Sequence, residues 1–124
     1  MVRGKFFGNA PVVTVTVMWG NFSKDPSVIL DTGFSGDLQV TPKIADELGL
    51  EVTGLAIMKI ANGQNIEMPT ALALVTIEDE SHYVQVQISN SLPLLGINCL
   101  TQFSYKAIVD CRHRDVTLEK VIEG

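Results

Sequence analysis

Apolar side chains recur at every second position in several short runs of this chain. Val13, Val15 and Val17 alternate with Thr14, Thr16 and Met18, the two-residue period of a half-buried strand. Ser27-Val28-Ile29-Leu30 follows Pro26 as a short apolar run and predicts a buried strand. Ala71 to Ile77 and Tyr83 to Ile88 continue the pattern, with Val84, Val86 and Ile88 on one face. Between them Glu78-Asp79-Glu80-Ser81-His82 reads as a solvated hairpin tip that also protects a sheet edge. Ala107-Ile108-Val109 and Val116-Thr117-Leu118 flank a polar turn and predict a terminal hairpin. Short strands spaced by turns predict an all-β sandwich or barrel. One helix interrupts them: Thr41 as cap, Pro42 at the first position, Lys43 to Leu48, then Gly49 where a left-handed cap belongs. A second short helix or turn is expected over Asn98 to Phe103. Ala61-Asn62-Gly63-Gln64 carries the Asn-Gly pair that marks a tight hairpin.

The chain has 124 residues, 46% hydrophobic and 19% charged, a balance for one globular domain spanning 1–124 rather than a disordered chain. Nine Lys and Arg against fourteen Asp and Glu leave a net charge of −5. Nucleic acid is a poor partner for such a surface, because phosphate contacts need clustered positive charge. The densest basic run, Arg112-His113-Arg114, is flanked by Asp110 and Asp115. No apolar run approaches the ~20 residues of a membrane-spanning helix. Met1 to Asn9 lack an apolar core of signal-peptide length, so the expected compartment is the cytoplasm. There Cys99 and Cys111 are expected as free thiols serving as small buried apolar groups. His82 and His113 read as solvated surface side chains, Asp37 and Asp110 as turn or surface carboxylates, and Trp19 as core or interface. No His/Cys cluster has metal-ligand spacing, so neither a metal nor another cofactor is expected.

Chemistry points to Val28-Ile29-Leu30-Asp31-Thr32-Gly33-Phe34-Ser35-Gly36. An Asp directly after an apolar strand lies near its buried end, where a carboxylate needs a partner, a shifted pKa or a function. Gly33 frees the backbone to turn. Thr32 can hydrogen-bond neighbouring backbone, and Ser35 can bond back toward the carboxylate. Alone, the triplet is also an ordinary β-turn signal.

Asp31-Thr32-Gly33-x-Ser35 after an apolar strand resembles the active-site motif of aspartic proteases, particularly the retroviral, retropepsin-like type. Leu94-Leu95-Gly96-Ile97-Asn98-Cys99-Leu100 resembles that family's apolar-apolar-Gly-x-(Asn/Asp)-x-Leu segment. The Asn-Gly hairpin at Ala61, Asn62, Gly63 and Gln64 lies between the two, where the family carries its flap. The resemblance covers the chain from about Val12 to Leu118. It implies a closed β-barrel of the acid-protease type with one or two short helices.

It also implies an aspartic endopeptidase with Asp31 catalytic and Thr32, Gly33 and Ser35 supporting the loop. The chain has no second Asp-(Thr/Ser)-Gly. Aspartic proteolysis needs two adjacent carboxylates sharing a proton, so the resemblance implies a homodimer with Asp31 contributed by each copy. Thr32 would clasp the partner loop, and Gly33 would contact the backbone of an extended peptide or protein substrate bound by strand addition. Phe34 stands where the family commonly has Ala; it either shapes a subsite or packs in the core. Ile97 stands where retroviral members often have an Arg paired with an Asp near the loop, and cellular and bacterial relatives are the closer match. The rival reading is a non-catalytic dimeric peptide-binding or regulatory module on the same fold. A plain β-barrel domain with a coincidental triplet is a further alternative.

Overall fold

The computed structural model describes residues 1–59 and 61–122; positions 60, 123 and 124 of the expected domain lie outside the described residues. The strands are β1 (Val2–Phe7), β2 (Ala10–Thr14), β3 (Thr16–Trp19), β4 (Phe22–Lys24), β5 (Ser27–Leu30) and β6 (Leu38–Val40). After helix α1 (Pro42–Leu48) come β7 (Val52–Lys59), β8 (Asn65–Ile77), β9 (Glu80–Ile88) and β10 (Leu94–Leu95). Helix α2 (Ile97–Gln102) precedes the terminal strands β11 (Tyr105–Asp110) and β12 (Asp115–Lys120).

The all-β expectation holds, with two short helices. The expected closure into a barrel is not what the strand pairing draws. Among the described residues the path runs β11-β12-β1-β2-β5-β10-β6-β9-β8-β3-β4, with β7 on β8, and its ends do not meet. Each end lies against a helix, β4 against α1 and β11 against α2. Lys24 and Glu47 form an ion pair across the first of these contacts, 2.9 Å between Nζ and Oε2. A covered edge has less need of a further strand.

Alternation places Val13, Val15 and Val17 inside, together with Val28, Leu38, Val40, Val84, Val86 and Leu95. The alternating run nevertheless serves two neighbours. It breaks at Val15, whose N–H donates to Pro26 O at 3.2 Å, so that β2 pairs with β5 while β3 pairs with β8. Helix α1 forms as its caps dictate. Thr41 accepts from Ile44 N, and Gly49 ends the helix at φ 67°, a left-handed conformation that suits glycine.

Three expectations are corrected. The hairpin tip is tighter than Glu78 to His82: only Glu78 and Asp79 turn, and Glu80 already pairs with Ile77. His82 is half-buried, because β9 carries it against Phe103, its ring edge-on at 4.6 Å between centroids. Cys99 is buried as expected, but Cys111 is exposed in the turn between β11 and β12. Both thiols are free. No described helix is long and apolar enough to cross a membrane.

Candidate active site

Strand β5 ends at Leu30, and Asp31 is the first residue beyond it. Parallel pairing of β10 with β5 sets Leu95 beside Leu30, and Asp31 N donates to Leu95 O at 3.0 Å. The chain then turns, with Phe34 N donating to Asp31 O at 3.1 Å. Three further backbone bonds sew the loop to the segment after β10. Gly96 N donates to Asp37 O at 2.9 Å, Ile97 N to Phe34 O at 2.9 Å and Asn98 N to Gly36 O at 3.1 Å. The two motifs, far apart in sequence, therefore form one unit.

That unit explains its glycines by space. A Cβ on Gly96 would lie 2.1 Å from Gly36 O and 2.8 Å from the Phe34 ring. A Cβ on Gly36 would lie 2.7 Å from the same ring. Phe34 is buried at 7% exposure and is wedged between the two loop segments. Of the two readings left open by the sequence, packing describes it better, although one edge still reaches the adjoining cavity.

Asp31 is half-buried, and Thr32, Gly33 and Ser35 are exposed. The Asp31 carboxylate accepts a hydrogen bond from Gly33 N at 2.9 Å. The expected hydroxyl bonds are not there: among the described hydrogen bonds, Ser35 does not reach this carboxylate and the Thr32 side chain does not bond the neighbouring backbone. The backbone amide of a tight turn does that work because it is already aimed inward.

Asp37, expected as a turn or surface carboxylate, lies at the bend before β6 but is not at the surface. It is 9% exposed and accepts from Gln85 N at 3.0 Å and from Asn98 Nδ2 at 2.7 Å. The loop is thus tied to β9 and α2 through one acidic side chain. Ile97 carries no charge for an ion pair with this loop; the next residue, Asn98, ties to Asp37 with a neutral amide. The sequence signal was present, an Asp entering an apolar strand opposite an Asn-bearing segment, but the pairing lies in tertiary contact.

A cavity of about 300 Å³ opens between the loop and β7. Its walls are Asp31 and Gly33 to Gly36 on one side, Ala56 to Met58 on the other, and Gln87 and Leu94 beneath. The turn expected as a flap tip forms where the Asn-Gly signal placed it. Gln64 N donates to Asn62 Oδ1 at 3.0 Å, and Gly63 adopts φ 86°. Ala61, Asn62, Gly63 and Gln64 do not line the cavity; the β7 strand leading to them does. A second hollow of about 520 Å³, mostly apolar, includes Phe6 on β1, Val12 on β2 and Ile29 on β5.

Two solved structures are similar to this chain in fold. EIAV protease, complexed with the inhibitor HBY-793, superposes with a TM-score of 0.61 at 15% identity over 77% of this chain and 89% of that one. A retropepsin-like aspartic protease from Rickettsia conorii gives 0.57 at 20% identity, covering 95% and 91%. This chain has the retropepsin-like fold. The sequence itself matches no protein-family model and no curated protein, so the likeness lives in the chain's path rather than in its side chains. Within the retropepsin-like fold, Gln39, Thr70 and Gln87 are buried polar residues that the sequence reading missed. Their signal was faint: single polar residues inside otherwise apolar strand runs.

Proposed function

We propose that this chain, a single domain over 1–124, is an aspartic endopeptidase active as a homodimer in the cytoplasm. The observation that carries the reading is the Asp31 carboxylate, set at the end of β5 by Gly33 N and opening on a cavity walled by β7. Two copies related by a two-fold axis bring two Asp31 side chains together. One carboxylate takes a proton from a water, which attacks the scissile carbonyl carbon. The other, protonated, gives its proton to the carbonyl oxygen as the gem-diol forms. On collapse the first hands the water's proton to the amide nitrogen, the C–N bond breaks and the amine leaves. The second takes back its proton from the diol, restoring the singly protonated pair. Thr32, Gly33 and Ser35 shape the loop, Phe34 packs behind it, and Ala61 to Gln64 form the flap tip over an extended peptide. Metal and cofactor play no part in this scheme.

Asp31→Asn keeps the shape and removes the acid–base pair. Peptide cleavage by purified protein is expected to fall by ~10³-fold or more, with the unfolding transition little changed. Cleavage that survives the substitution overturns the reading. A folded dimer that binds peptide without cutting it belongs to the binding-module class instead.

A further inference from the structure

Beneath the cavity beside Asp31 lies a short chain of side-chain amides. Gln39 Nε2 donates to Leu92 O at 3.0 Å. A backbone carbonyl can only accept, so this bond fixes which end of the Gln39 amide faces Leu92. Gln39 Oε1 is thereby turned toward Gln87, and Gln87 Nε2 donates to it at 3.0 Å. The same Nε2 lies 2.9 Å from Met58 Sδ on β7. The orientation propagates along the chain and leaves Gln87 Oε1 at its end. Among the described residues this oxygen has no hydrogen-bond partner, and it is not sealed from solvent either, since no such buried orphan occurs. Gln87 is 8% exposed and lines the cavity.

Gln87, a nine-tenths-buried amide with a free acceptor, floors a pocket with the Asp31 loop on one side and the largely apolar Ala56, Ile57, Met58 and Leu94 on the other. Left empty, the oxygen meets only water; met by an apolar group, it loses that water without replacement, which is unfavourable. We infer that this pocket selects a substrate side chain that donates a hydrogen bond to Gln87 Oε1, an amide or hydroxyl side chain (Asn, Gln, Ser or Thr) near the scissile bond. Gln87 is then a specificity-determining residue, and Gln39 a positioning residue acting through it. The inference rests on the endopeptidase reading.

The test is cleavage-site profiling of a mixed peptide library by mass spectrometry, with wild type and Gln87→Met. Wild type is expected to enrich donor side chains at one position relative to the cut. Gln87→Met, close in volume, is expected to reverse that preference toward aliphatic residues by about tenfold or more at that position alone. Gln87→Glu is expected to favour Lys or Arg at the same position. If Gln87→Met fails to fold, Gln39→Leu/Gln87→Met removes the bond from both sides and carries the same expectation. A variant that cuts with the wild-type profile overturns the role of Gln87 and leaves the endopeptidase intact. Absence of cleavage by wild type under every condition overturns both.

Discussion

Gly96 stands where two stretches of chain pass close together. An added Cβ would meet the Gly36 carbonyl oxygen at 2.1 Å, and backbone on both sides is held by hydrogen bonds, so it cannot yield cheaply. Gly96→Ala is expected to destabilise the protein by about 1–3 kcal/mol in urea unfolding. Gly36→Ala meets only the Phe34 ring, which can tilt, and should cost less; the reverse order would refute this account. Cys99 supplies a second residue-scale expectation. Burial, reinforced by the charge of Asp37, pushes its thiol from 9.0 up to about 12. The unfolded chain releases this proton at lower pH than the folded one, so the stabilising contribution is complete below about 9 and is lost as pH rises toward about 12. Stability measured across that window should fall, and fall less in Cys99→Ala. At pH 8 a thiol reagent should label Cys111 alone until the protein is unfolded.

At the scale of elements, one carboxylate joins three of them. Asp37 leads into β6 and receives Gln85 N from β9 and Asn98 Nδ2 from α2. Asn98→Ala removes one of those donors and is expected to cost about 1.5–3 kcal/mol, the worth of a hydrogen bond to a charged group. Asp37→Ala should cost more, because it also leaves the Gln85 amide unmet. Equal unfolding midpoints for wild type and Asn98→Ala would remove the tie from the account. Elements defined by local chemistry were legible in advance: α1 from its caps, β5 from its apolar run, the β7–β8 turn from Asn62-Gly63. Strands β6 and β10 were not. They are three and two residues long, and their hydrogen bonds come from segments distant along the chain, so no local pattern marks them. The split of β2 from β3 was hidden for the same reason, since alternation continues unbroken through Val15.

The whole molecule brings one Asp31, and the proposed chemistry needs two. A homodimer of twice the 13.5 kDa chain mass is expected in sedimentation at micromolar concentration. Cleavage per chain should rise with concentration as dimers form. Adding an excess of Asp31→Asn chains should suppress wild-type cleavage by drawing active chains into mixed dimers. A strict monomer that cuts peptides at full rate would exclude a dyad shared between copies.

By itself the sequence determined the β-rich class, the capped helix, the place of Asp31 and the Asn-Gly turn, because each rests on neighbours in the chain: side-chain period, capping chemistry, backbone freedom at glycine. Tertiary structure alone decided the rest. It buried Asp37, which looked like a surface acid, and exposed Cys111, which looked like a core thiol. It set Phe34 between Gly36 and Gly96, left the strand path open where helices cover its ends, and aligned Gln39 with Gln87 under the cavity. Those outcomes depend on which distant segment supplies a hydrogen bond or excludes water, and a linear pattern does not carry that information.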